Sequence, residues 1–231
     1  PIHSTQRFAN RIQSGLFPPS KNWCRLEPGN DIPADRKAEV QQALDLYLDK
    51  MFTLLRQSNF DLAMGEFLLD LCVGTAVMLI QPGDDINPIQ FTPVPQYLIA
   101  LEEGPNGTVD NVYRKYKVRA EALPRQYPDI QLNDQLQRLI ENKPQEMVEL
   151  IEAVILDPER KDYCYHIIHE KTKDELVFRR MDTTPWIVAR YMKIPGEVFG
   201  RGPLVSALPD VKTLNKTLEL LLKKSKINKL F

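Results

Sequence analysis

Pro185-Trp186-Ile187-Val188-Ala189-Arg190-Tyr191-Met192-Lys193-Ile194-Pro195-Gly196-Glu197-Val198-Phe199-Gly200-Arg201-Gly202-Pro203 changes its period as it runs. Residues 186–192 are aromatic and β-branched, the composition of a strand. Pro195-Gly196 breaks that run with a turn, and Phe199-Gly200-Arg201-Gly202-Pro203 breaks it again. After Pro209-Asp210 the apolar spacing becomes helical and stays so to the last residue. A sheet is therefore expected to pass into a long helix through an elbow built on Pro195, Gly196, Gly200, Gly202 and Pro203. Proline supplies a fixed φ there, and glycine reaches φ values closed to other residues. Valine at Gly200 or Gly202 would impair folding if either glycine sits at positive φ.

Upstream, Ser4 or Thr5 begins a helix with Phe8, Ile12 and Leu16 on one face, stopped by Gly15 and Pro18-Pro19. Asp35 begins a second, whose Val40, Ala43, Leu44, Tyr47, Leu48, Met51, Leu54 and Leu55 form a broad stripe of the kind that packs on a core. Asn59 is expected to cap a third, with Phe60, Ala63, Met64, Phe67, Leu68 and Leu71 inward and Gly74 at its end. Residues 75–81 then read as a buried strand, and Pro82-Gly83-Asp84-Asp85 as a turn. Short strands follow at 89–94 and 97–102, a hairpin turn at Gly104-Pro105-Asn106-Gly107 and a strand at 109–119. Helices are expected at 119–126 and 132–142. Strands at 147–156, 163–169, 175–180 and 186–193 complete an antiparallel set. The order is helices, then a mostly antiparallel mixed sheet, then a long C-terminal helix: an α+β fold.

The 231 residues suffice for one or two domains with a real core, and a charge of −1 gives no global pull toward nucleic acid or anionic membrane. The 18 prolines against 10 glycines suit stiff turns and edge strands. Cys24, Cys72 and Cys164 are odd in number and far apart, so neither a disulfide framework nor zinc spacing follows. Reduced thiols of a cytosolic or viral interior protein are the plain reading. The opening Pro-Ile-His-Ser-Thr-Gln-Arg contains no apolar leader, and the apolar run near 75–80 is too short to cross a bilayer. The chain starts without Met and stops within a helical pattern, so it is expected to be an ordered fragment of a longer protein.

The candidate chemistry is sparse. His166-x-x-His169 suggests metal binding, but residues three apart on a strand face opposite sides, and no third ligand stands at zinc spacing. Asp84-Asp85 and Glu102-Glu103 sit beside turns, where paired acids are ordinarily solvated. Gly196-x-x-x-Gly200-x-Gly202 before a helix resembles a phosphate cradle, yet it contains Glu197 and ends on Pro203, which lacks a donor; a bend is favoured. No nucleophile elbow or nucleotide-binding lysine loop occurs. No catalytic, cofactor-binding or metal residue is therefore expected, and no cofactor. The terminal helix carries more. Val211, Leu214, Leu218, Leu221 and Leu222 fall on one face, with Ile227, Leu230 and Phe231 continuing the apolar content. Lys212, Lys216, Lys223 and Lys226 fall on another. One reading is a surface helix whose lysines keep it soluble; the other is an interface stripe with a basic face near an anionic partner.

Two segments carry a resemblance. Trp186-x-Val188-x-Arg190-Tyr191, Pro195 to Pro203 as quoted, and Ala207-Leu208-Pro209-Asp210-Val211-Lys212-Thr213-Leu214-Asn215-Lys216 resemble the head-to-tail connector, or portal, proteins of short-tailed bacteriophages. Ala9-Asn10-Arg11-Ile12-Gln13-Ser14-Gly15-Leu16-Phe17-Pro18-Pro19 followed by Trp23 resembles the N-terminal part of the same family. The resemblance implies a non-enzymatic, dodecameric ring at one capsid vertex, with double-stranded DNA packaged and ejected through its channel. It implies docking by a separate packaging terminase, by capsid or scaffold proteins and by tail adaptors, with no membrane. The protein would be found in the virion, and in host cytoplasm during assembly. Residues 1–203 would form a wing-like region and 204–231 the helix leading toward the stem. Leu214, Leu218, Leu221 and Leu222 would meet another subunit, and Lys212, Lys216 and Lys223 would face the channel or a partner. The alternatives are a nucleic-acid-binding module using the lysine face, which near-neutral charge disfavours, and a hydrolase resting on the isolated acids.

Overall fold

The structure, a computed structural model, describes residues 2–84 and 86–227. Asp85, Leu230, Phe231 and the side chains of Lys226 and Ile227, all named above, lie outside the described residues. In chain order the elements are α1 (Ile2–Leu16), α2 (Lys37–Gln57), α3 (Phe60–Val73), β1 (Thr75–Pro82), β2 (Ile89–Val94), β3 (Ile99–Glu103) and β4 (Val109–Arg119). There follow α4 (Leu123–Gln126), α5 (Asp134–Asn142), β5 (Met147–Asp157), β6 (Asp162–His169), β7 (Glu175–Met181), β8 (Trp186–Arg190) and α6 (Pro203–Ile227). The class is α+β. The chain forms two compact units, one of residues 1–93 with 189–231, the other of residues 94–188.

In the first unit, α3 supplies the core. Phe60, Ala63, Met64, Phe67 and Leu68 recur at helical spacing and pack with Ala9 of α1, Ala76 and Met78 of β1, and Phe91 of β2. Trp23 lies edge-on to Phe17 and Phe52 and stacks on Phe60, so aromatic contacts hold the coil after α1 in place. Asn59 does not cap α3. Ser58 Oγ accepts from the Phe60 N–H instead, at 3.1 Å. The Asn59 amide reaches β2, donating to the Phe91 carbonyl at 2.6 Å and accepting from its N–H at 2.9 Å. The stripe of α2 is only half covered. Leu48 is buried, as is Phe52, which the spacing argument missed, while Tyr47 on the opposite edge is 65% exposed.

Strand β8 does not join the antiparallel set expected for it. It lies beside β1 in a sheet of order β2-β1-β8. Thr75, Ala76, Val77, Met78 and Leu79 of β1 are all buried, so both faces of this central strand are covered. Its neighbours in the sheet are β2 and β8.

The second unit is an antiparallel meander, β3-β4-β5-β6-β7. The pattern at 147–156 is a strand as expected, paired with β4 so that Arg114 faces Glu152. The expected helix at 119–126 is a 3-10 turn followed by the single turn α4. Asn133 caps α5, its side-chain oxygen accepting from the Leu136 N–H at 2.9 Å.

The last helix begins earlier than its spacing suggests. Pro203 occupies its first turn, where a fixed φ and a missing N–H cost nothing. Pro209 lies inside the helix and cannot donate to the Val205 carbonyl. The helix nevertheless runs through, and its first turn is closed at Gly202, whose carbonyl accepts from Val205 N–H at 3.1 Å. A division at 203/204 therefore falls in the first turn of α6.

Candidate functional site

The end of α3 and the start of β1, Cys72-Val73-Gly74-Thr75, are tied to residues 190–204 mostly through backbone. Tyr191 N–H donates to the Gly74 carbonyl at 2.9 Å, Gly202 N–H to the Val73 carbonyl at 2.8 Å, and Arg201 N–H to the Met192 carbonyl at 2.9 Å. Gly200 N–H donates to the hydroxyl of Thr75 at 2.8 Å. Arg190 reaches the Val198 carbonyl at 3.2 Å, and Arg201 pairs with Glu197 across one turn. Burial pushes the Cys72 thiol above its ordinary value, which keeps it protonated and unreactive.

The backbones approach closely enough to exclude a side chain. A Cβ on Gly202 would lie 2.2 Å from the Cys72 carbonyl oxygen, and one on Gly200 2.6 Å from that of Gly74. Gly200 and Gly202 do not have positive φ, so the dihedral argument for them is corrected to a steric one. Positive φ occurs instead at Gly74 (+155°) and Gly196 (+83°). The N–H groups of Gly200, Arg201 and Gly202 are all engaged, so none of these three is left for a phosphate.

Beyond this knot the helix runs into solvent. Val211 is half-buried, but Leu214, Leu218, Leu221 and Leu222 are 59%, 49%, 57% and 66% exposed in the isolated chain. Lys212, Lys216 and Lys223 fall on the other side. Lys216 and Lys223 both reach Glu219, at 2.9 and 2.6 Å, so one carboxylate partly neutralises that face.

The other sequence candidates are separated rather than assembled. His166 Nδ1 lies 2.6 Å from Glu175, and His169, which is buried, lies 2.9 Å from the Thr172 hydroxyl. Asp84 accepts from the N–H groups of Ile86 and Asn87 as a turn residue, and Glu102 accepts from Asn111 and Tyr113.

Two clusters were missed. Asp157, Asp162 and Cys164 bring three ligand atoms within 4.8 Å of one another, and Arg180 fills the site, donating to Asp162 at 2.7 Å and to Asp157 at 3.2 Å. The signal was the 157–162 hairpin, whose ends pair Asp157 with Asp162. Glu152 is 1% exposed, among Arg114, Tyr116, Tyr127 and Tyr165, with the guanidinium 3.5 Å away. Burial raises its carboxyl pKa, and the charge of Arg114 offsets this only in part. Its place in an otherwise apolar alternation, with Val148, Leu150 and Val154 on the same face, was readable.

Residues 1–228 match the family described as Bacteriophage head to tail connecting protein. The chain belongs to that family. It is also 24% identical over 239 residues to a portal protein of Enterobacteria phage T3, a match covering 96% of this chain and 42% of the relative. The chain thus spans under half the length of the curated relative it matches. A connecting protein is a structural component by its family's description. No described helix is long and apolar enough to cross a membrane.

Proposed function

We propose that this chain is the wing-like part of a portal ring together with the helix that leads toward the stem. The observation that carries the proposal is α6: a helix fixed at its root whose leucines at 214, 218, 221 and 222 are left 49–66% exposed by the isolated subunit. Full burial of such a side chain is worth roughly 1.5–3 kcal/mol, so a neighbouring subunit along this stripe would gain several kcal/mol. In the proposed arrangement a dodecameric ring sits at one capsid vertex. Double-stranded DNA passes through its channel, and the packaging terminase, capsid or scaffold proteins and tail adaptors dock on it. The knot at residues 200–202 sets the direction in which α6 leaves its unit, and Lys212, Lys216 and Lys223 lie away from the leucine contact. Assembly takes place in host cytoplasm.

Leu218→Asp with Leu222→Asp in the full-length protein should leave a folded subunit that no longer closes into rings. Mass photometry would read the rings and circular dichroism the fold. Rings that persist, or a subunit that unfolds, would place the stripe elsewhere. The protein is also expected to have no turnover of its own. ATPase and nuclease assays on pure protein should stay at background, and activity abolished by Asp84→Ala would overturn this.

A further inference from the structure

One leucine of α6 stands apart from the stripe. Leu220 is 55% exposed and, at 100° per residue, lies on the lysine side. Lys216, Lys223 and Lys224 stand four before, three after and four after it, so they surround it on the helix surface. With Glu219 counted, this patch carries a net +2, from three lysines and one glutamate. An interface made by the stripe alone would leave a basic patch with an apolar centre in water.

A surface of opposite character lies on α3. Leu62 is 70% exposed and Leu69 37%, although α3 otherwise builds the core. Leu62, Gly65, Glu66 and Leu69 are spaced i, i+3, i+4 and i+7, the four residues that outline a hole for one side chain of a facing helix. Gly65 leaves the floor of the hole low, since a Cβ there would meet only the Gln13 side-chain oxygen, at 3.5 Å. Ala9, Asn10 and Gln13 of α1 form the second wall of the same groove. Asp61 and Glu66 border it, and neither carboxylate makes an ion pair among the described residues. The groove therefore carries −2 where the α6 patch carries +2.

We propose that the α1–α3 groove receives the Leu220 face of α6 from a second copy of this chain. Leu220 enters the hole of Leu62, Gly65, Glu66 and Leu69, while the surrounding lysines meet Asp61 and Glu66. The two patches differ, so the contact is head-to-tail, the type that propagates around a ring rather than closing a two-fold dimer. The proposal rests on the reading that the chain forms rings and adds which surface receives the helix.

The test uses the full-length protein with a benzophenone amino acid in place of Leu220, irradiated after assembly and mapped by mass spectrometry. Cross-links to residues 61–69 or 6–13 of a second copy are expected. A paired measurement uses Gly65→Leu, which fills the hole with a better helix former, so the subunit's own melting temperature should not fall. Asp61→Lys with Glu66→Lys reverses the border. Each variant should raise the concentration for half-assembly about tenfold or more, and the charge reversal should remove much of the salt dependence of assembly. Rings that form normally in both variants, with cross-links elsewhere, overturn the groove and leave the ring reading intact. Wild-type protein that never closes into rings overturns both.

Discussion

Gly202→Ala should destabilise the protein by about 3 kcal/mol or more, at the upper end of what overpacking costs. The added Cβ would meet the Cys72 carbonyl oxygen at 2.2 Å and two backbone carbons, of Cys72 and Val73, at 2.6 Å. These are main-chain atoms at the end of α3, so no side-chain rotation relieves the contact. Separating them stretches the Gly202 N–H bond to Val73, and with it the tie that holds the root of α6. Gly196→Ala is the control. Its φ of +83° strains any other residue, but nothing lies within 4 Å of its Cβ position, so only about 1–2 kcal/mol of backbone strain is expected. Urea titrations of the full-length protein would compare the two. If the Gly196 variant proves the weaker, close packing is not what selects glycine at 202.

Arg114→Met should cost about 3–5 kcal/mol at neutral pH, because it leaves the Glu152 carboxylate buried without its cation. The guanidinium also lies over the Tyr116 ring, at 4.4 Å, and methionine retains only part of that packing. The pH dependence identifies the cause. Burial raises the Glu152 pKa in the folded chain, so between the ordinary glutamate value and the folded value the folded state holds a proton that the unfolded state has released. Stability from this group is therefore highest below the ordinary glutamate value and falls as pH rises from there to the folded value, levelling off above it. Removing Arg114 raises the folded value further and extends the fall to higher pH. Tyr116, Tyr127 and Tyr165 are all pushed up by burial and remain neutral throughout this window. The loss in Arg114→Met should be smaller at pH 5 than at pH 8, and Glu152→Gln in the same background should remove the difference. An equal loss at both pH values would mean that packing, not charge, accounts for it.

Both predictions concern features that local sequence reasoning reaches unevenly. The strand at 186–190, the breakers after it and the long helix were legible because period and turn chemistry are local properties. The partner of β8 was not, since strand order is set by which edge remains open, and that is decided by β1 more than a hundred residues earlier. For Gly200 and Gly202 the structure replaces a dihedral reason with a steric one: a dihedral preference can be argued from one residue, whereas a close approach involves a second segment that sequence does not place. The stripe on α2 was overread because periodicity reports which face is apolar and not how much of it a neighbour covers. The leucines of α6 were identified from spacing alone, but the tie of Lys216 and Lys223 to Glu219 was not. Asp157, Asp162 and Arg180 became one cluster only through hairpin register.

The proline within α6 has a mechanical consequence. The rung from residue 209 to the Val205 carbonyl cannot form, so the helix is most compliant one and a half turns beyond its anchored end. A sideways load on the distal half bends the rod at that point first. The Gly202 N–H bond to the Val73 carbonyl and the Gly200 N–H bond to the Thr75 hydroxyl then carry a smaller torque than they would under a stiff rod. The part of the helix beyond Pro209 can change its direction while the mounting keeps its register, in the manner of a flexure rather than a hinge.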